Sequence, residues 1–261
     1  MSLAGSLRRG LAAGLAAGLL AALFAFVVAE PVMDRAIALE DSRAAAAAHD
    51  AAHAPGDTPH SHADDPPVSR DTQRRVGAPL GFVLIGAALG TLFGLLYGVA
   101  RRRSPRLEPW PDAVAVGGSM FAGLQLVPFV VYPASPPGAG DANSVSDRTS
   151  HYLAAVVLGV SAVVGAWLLV RALARRGWSQ PRRHVATAAA FVVLVGAGYA
   201  VLPAAEPADV PADLLWDFRL AALGTQLVLW SALVAVFGLL SDRAAAPARE
   251  GDRGRVTRQP A

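Results

Sequence analysis

Six uncharged, strongly apolar runs dominate this chain: Leu11 to Ala29, Gly77 to Ala100, Ala113 to Ala134, Thr149 to Val170, His184 to Ala205, and Leu220 to Ser241. Crossing the hydrocarbon core of a bilayer takes about 20 helical residues. Six runs of that length can hardly be buried helices of a soluble domain. Composition agrees, with 54% of 261 residues hydrophobic, only 16% charged and a mean hydropathy of +0.40, which is too apolar and too charge-poor for an ordinary soluble fold. In lipid each span satisfies its own backbone hydrogen bonds by being helical. The expected fold is therefore an all-α, polytopic integral membrane bundle of six transmembrane helices.

Arginine placement orients the bundle. The chain has no lysine, so all 23 basic residues are arginines. With the N-terminus inside, sixteen fall in cytoplasmic segments, namely Arg8 and Arg9, the Arg101 to Arg106 loop, the Arg171 to Arg183 hairpin and the tail after Asp242. Only seven fall outside, and fifteen of the 20 acids lie on that outer side. Excess positive charge stays in the cytoplasm, so both termini are placed there and the protein in the inner, or plasma, membrane. Arg8, Arg9 and Val27-Val28-Ala29 give the first span some features of a signal peptide. Its 19-residue core exceeds the usual signal core of about 7–15 residues, and an uncleaved span is expected. The six-span domain then covers 1–242, and 243–261, rich in Ala, Pro, Arg and Gly, reads as a disordered cytoplasmic tail.

Between the first two spans lies an outer hydrophilic run, 30–76. It opens with Glu30, Asp34, Glu40 and Asp41 and then carries four of the six histidines, His49, His53, His60 and His62, among Asp50, Asp57, Asp64 and Asp65. His49 and His53 are i, i+4 and would share a helix face. His60 and His62 form an H-x-H that points both rings one way in an extended segment. Neutral imidazole beside carboxylates is a normal first shell for a divalent transition metal. Composition equally allows a low-complexity spacer with incidental histidines, since 44–66 has no packing face and reads as mobile. Glu30, Asp34 and Asp41 fall close to one helical face, either as a route for a cation to the membrane mouth or as a solvated acidic face.

Fewer polar groups lie at membrane depth. Gln125 is central in the third span, and Thr225 and Gln226 lie in the sixth. Such groups face the bundle interior, where they hydrogen-bond between helices or line an ion path. Gly10, Gly14 and Gly18 recur at four-residue spacing in the first span, and Gly86, Gly90, Gly94 and Gly98 in the second. Each ladder makes a groove for close backbone approach, within the bundle or to a dimer or partner subunit. Odd spans end near proline, at Pro31, Pro133 and Pro203, and even spans open at acid–arginine pairs that include Arg70, Arg148 and Arg219. This is either a threefold hairpin repeat or ordinary interfacial capping. His151 and His184 each open a span at an interface.

Several classes are excluded. There is no cysteine, hence no thiolate metal site or cysteine nucleophile. No phosphate loop, H-E-x-x-H or G-x-S-x-G occurs, so an enzyme is not expected. The net charge of +3 reflects arginine topology, with no nucleic-acid-reading motif.

One set of residues carries a family resemblance across most of the chain. It comprises Glu30-Pro31 with Asp34, Ala36, Ile37 and Glu40, then Val68-Ser69-Arg70 with Gln73 and Gly77. Pro128, Tyr132-Pro133 and Pro136-Pro137-Gly138 follow, then Arg148-Thr149 and Tyr152, and finally Phe218-Arg219, Leu223, Gln226 and Trp230. In these the chain resembles the CbtA family, bacterial membrane proteins regarded as cobalt transporter subunits. Ser135 departs from the pattern, where asparagine is expected. The resemblance implies a membrane component of cobalt uptake, often beside a small single-span partner, CbtB, with its own terminal histidine cluster.

The combined expectation is a membrane subunit that captures cobalt(II), its substrate, on the outer side and helps move it inward, with no permanently bound cofactor. The histidine loop would collect the ion. Glu30, Asp34 and Glu40 would form a vestibule whose geometry Arg70, Arg148, Tyr132 and Arg219 fix, and Gln125 and Gln226 would line the path. Nickel or zinc transport by the same chemistry, a non-transporting metal sensor or scaffold, and a homo-oligomer are the alternatives carried forward.

Overall fold

The computed structural model describes residues 2–52, 72–103, 108–140 and 144–256. Its described residues are helical apart from short connections. In chain order they form α1 (Leu3–Phe24), α2 (Glu30–Ala52), α3 (Ala78–Arg103), α4 (Pro109–Phe121), α5 (Val127–Val131), α6 (Val145–Arg175), α7 (Gln180–Val201) and α8 (Ala212–Val256). Three five-residue π-helical turns interrupt the order at Ala25–Ala29, Gln73–Gly77 and Ala122–Leu126. Six stretches are long and apolar enough to cross a membrane: Leu3–His49, Arg74–Arg102, Pro109–Val131, Val145–Arg175, Gln180–Val201 and Ala212–Ala245. This is the expected all-α bundle of six spans.

Two of the π turns have a common cause. Proline lacks an N–H, and its ring clashes with the carbonyl four residues back. Pro31 and Pro128 each stand two residues beyond a π turn, so the strained carbonyls, those of Val27 and Leu124, lie inside it. Widening the helix there relieves the clash, and the Glu30 N–H reaches back five residues to the Ala25 carbonyl. Pro31 therefore begins α2 and does not end the first span, contrary to the proline rule applied to the sequence. Pro133 and Pro203 do follow helix ends, at Val131 and Val201.

The alanine run 44–48 is helical within α2, where the sequence reading expects mobility. Alanine, the strongest helix former, supplies the reason. Likewise α8 runs past Asp242 to Val256 through Ala244 to Ala246, in the stretch read as a disordered tail.

By compactness the chain divides into two units, each described separately. One comprises Met1–Leu23, Ala78–Phe121 and Gln226–Ala261. Here α1 and α3 lie glycine on glycine. A Cβ added at Gly14 would sit 2.9 Å from Gly90 Cα, and one added at Gly90 would sit 2.6 Å from Gly14 Cα. Gly10 meets Gly94 and Gly18 meets Val83 in the same way. Each ladder thus fills the other's groove within the chain. Beside them Phe93, Tyr97 and Phe237 form a fully buried aromatic cluster, with Phe237 edge-on to both neighbours at 4.6 and 4.7 Å. The Tyr97 hydroxyl donates to the Pro109 carbonyl, and Arg101 pairs with Asp112 at 3.7 Å.

The second unit comprises Phe24–Gly77 and Ala122–Thr225. Val32 and Ala36 of α2 pack on Leu214 and Ala221 of α8, with Leu39 and Phe218 at the margin. Val127 and Val131 of α5 pack on Ala155 of α6, with Tyr132 and Leu202 alongside. The α6–α7 hairpin closes at Gly177, whose φ of +77° favours glycine. There the Trp178 N–H reaches the Leu173 carbonyl and the Gly177 N–H the Ala174 carbonyl, the double bond of a Schellman cap.

Candidate functional site

All described polar features of interest on the outer side lie in the second unit. On α2 the i, i+4 spacing of Glu30 and Asp34 presents both carboxylates to one guanidinium. Arg74 Nε lies 3.7 Å from Glu30 Oε1, and its Nη1 donates to Asp34 Oδ2 at 3.0 Å. The same guanidinium lies over the Phe26 ring, 5.3 Å from the centroid, so Arg74 spans positions 26, 30 and 34 of one helix face. Glu30 is largely shielded, its side chain 12% exposed, whereas Asp34 is open. On the opposite edge Arg35 donates to Asp217 at 2.6 Å, and Arg43 to the Asp209 carbonyl at 2.6 Å.

Farther along α2, Glu40 packs against the turn of Pro136-Pro137-Gly138. A Cβ at Gly138, where φ is +68°, would lie 3.1 Å from Glu40 Cγ and Cδ. Glycine at that position serves both the turn and the approach of Glu40.

Next to this turn opens a cavity of about 660 Å³. Its walls come from the α5–α6 and α7–α8 connections and the first turns of α6: Tyr132, Pro133, Ser135 and Ser144, then Asp147, Arg148, His151 and Tyr152, then Glu206. Arg148 Nε lies 3.7 Å from Glu206 Oε2, and Ser144 Oγ donates to that same oxygen at 2.9 Å. Gly140 leaves the space that the Arg148 guanidinium occupies, since a Cβ there would collide with it and stand 3.2 Å from its central carbon. The Tyr132 and His151 rings stack with centroids 6.2 Å apart. Two bonds brace the wall: Tyr132 donates its hydroxyl to the Pro203 carbonyl at 2.8 Å, and Arg219 Nε donates to the Ala134 carbonyl at 3.3 Å.

Tyr132, Arg148 and Arg219, expected to fix local geometry, thus meet at one cavity. Glu30 and Asp34 meet at Arg74, a residue the sequence reading did not single out. His49 lies in the last turn of α2, while His53, His60, His62 and Arg70 lie outside the described residues. Gln125 is half-buried within the π turn Ala122–Leu126, and Gln226 is half-buried in the first unit. Thr225 hydrogen-bonds the Ala221 carbonyl of its own helix, where a bond between helices or a place on an ion path is expected from the sequence, and Thr91 bonds the Ala87 carbonyl in the same way. Among the described residues no three His, Asp or Glu side chains are gathered closely enough to hold an ion. Glu206 and Ser144 were missed altogether, and Asp147 and His151 were read as interfacial. The available signal was that Asp147 and His151 lie on adjacent turns beside Arg148.

Chemically the cavity offers two carboxylates, an imidazole, hydroxyls and a guanidinium. The helical spans define a multi-pass membrane protein with a cavity among its connecting segments. The family model described as "Probable cobalt transporter subunit (CbtA)" matches residues 5–242, and the chain belongs to that family. Its role is metal transport across the membrane and is not enzymatic. No curated protein and no solved structure matches the chain.

Proposed function

We propose that this subunit takes up divalent cobalt, receiving it in the outer cavity beside Asp147, His151 and Glu206. The carrying observation is that these three hard or borderline donors share the wall of one cavity on the acid-rich outer side of a family member. Oxygen and imidazole donors suit cobalt(II) in the absence of cysteine, and they suit nickel and zinc as well. The cavity far exceeds the volume of a bare ion, so the cation enters with water on it and exchanges ligands stepwise.

In this reading His49, His53, His60 and His62 raise the local metal concentration. Glu30, Asp34 and Glu40 carry the ion along α2 toward the Pro136-Pro137-Gly138 turn. Gln125 and Gln226 supply neutral oxygens on the way through. A small single-span, histidine-bearing partner of the CbtB kind, which the sequence resemblance implies, would work beside this subunit. The α7 span, only 6% buried within the chain, has surface to receive such a helix.

Cells carrying Asp147→Asn with His151→Ala should accumulate radiolabelled cobalt several-fold more slowly than wild type. Normal accumulation by that variant, at normal membrane levels, would remove the cavity from the route. Excess nickel and zinc, added separately, rank the three ions.

A further inference from the structure

The cytoplasmic α6–α7 hairpin has a charge pattern that metal transport does not use. From Arg148 to Ala205 there is no acid at all, yet Arg171, Arg175, Arg176, Arg182 and Arg183 crowd the turn. The segment leading into α4 and the tail mix signs, with Glu108 and Asp112 in the first and Glu250 and Asp252 in the second. None of the five arginines is paired with an acid among the described residues, and all but Arg183 are exposed. The Schellman cap at Gly177 folds the chain back sharply, with Arg175 and Arg176 on the residues just before the turn and Arg182 and Arg183 in the first turn of α7 after it. Like charges gathered at one turn raise the local positive potential and attract anions.

The turn also has a place for one. Trp178, Ser179 and Arg182 line a cleft of about 440 Å³ with Gly177. Arg183 Nε is shielded from solvent with no acceptor in reach, and one turn along the same helix the buried Thr187 hydroxyl is likewise unpartnered. Trp178 is half-exposed, and Trp167 lies under the Arg171 guanidinium, 5.8 Å away. Indole rings at headgroup depth beside guanidinium groups are suited to the membrane–water boundary.

We propose that the α6–α7 hairpin binds the headgroup phosphate of an anionic phospholipid of the inner leaflet. The arginines of the turn surround the phosphate, Ser179 supplies a hydroxyl, and Trp178 rests on the glycerol and upper acyl region. The site is separate from the outer cavity, so its failure would leave the cobalt reading standing.

The test uses the purified full-length protein in neutral detergent, titrated with dioleoylphosphatidylglycerol, dioleoylphosphatidylcholine or inorganic phosphate. Bound lipid is counted by native mass spectrometry. Phosphatidylglycerol should be retained in preference to phosphatidylcholine, and retention should weaken with salt. Retention should fall by about fivefold for each arginine removed in Arg175→Gln, Arg176→Gln, Arg182→Gln and Arg183→Gln. Arg243→Gln, outside the hairpin, should change little. Equal retention of the two lipids by wild type would overturn the proposal without any variant. So would an equal loss in Arg243→Gln, or displacement of the lipid by millimolar inorganic phosphate, which would mark a site for the free anion.

Discussion

Replacing Gly90 by alanine tests the α1–α3 contact at one of its closest points. The new Cβ would stand 2.6 Å from Gly14 Cα and 2.8 Å from Gly14 N, both backbone atoms that no side-chain rotation can move. Carbon pairs prefer about 3.5–4.0 Å, so the two helices must part by about 1 Å, and a gap of that size forfeits a quarter to a half of each contact. Overpacking of this kind costs about 1–3 kcal/mol. Because the contact is backbone on backbone, the upper part of that range, about 2–3 kcal/mol, applies; alanine's better helix propensity returns about 1 kcal/mol, which leaves a net loss of about 1–2 kcal/mol. At 2–4 °C per kcal/mol for a chain of this size, the melting temperature in mild detergent should fall by about 2–8 °C. Gly118 is the matched control, because a Cβ there meets nothing within 4 Å. Gly118→Ala should be neutral or slightly stabilising. Equal melting temperatures for the two variants would refute the argument that backbone contact, and not glycine as such, holds α1 on α3.

Three further outcomes bear on the outer side. Gly140→Ala should push the Arg148 guanidinium off Glu206; stability should change by no more than about 1 kcal/mol, since the pair is partly exposed, while cobalt uptake falls several-fold. Arg74→Gln should cost about 1 kcal/mol or less for the same reason, yet alter uptake as Glu30 and Asp34 lose their shared partner; Glu30→Gln, removing the more shielded carboxylate, should impair uptake more than Asp34→Asn. Changing His49, His53, His60 and His62 together to alanine should slow uptake at limiting cobalt and leave the saturated rate intact, as expected for a collector; a lowered saturated rate would place those histidines in the route itself.

How much of this could be read from the residues differs from level to level. Spans are legible because bilayer thickness imposes a length that the apolar runs meet one by one. The glycine ladders announce two grooves, but four-residue spacing cannot name the occupant, and only the packed helices show that each fills the other. Pro31 misled for a local reason: a widened turn just before it lets proline open a helix where its usual effect is to end one. The cavity was half visible. Tyr132 and Arg148 stood out through family resemblance, whereas Glu206 lies in a loop more than 50 residues beyond Arg148, and only folding brings the two together. Arg74 was hidden in the same way, its meaning depending on the face that Phe26, Glu30 and Asp34 share once α2 is helical.

Metal movement itself is the most direct test. The purified protein, alone and with a single-span histidine-bearing subunit, would be sealed into vesicles containing a cobalt-quenched fluorophore, and cobalt(II) added outside. The account predicts quenching that saturates with cobalt, requires this chain and is slowed by Asp147→Asn with His151→Ala. Vesicles that bind cobalt at the folded protein yet show no quenching above protein-free controls, with or without the second subunit, would contradict it.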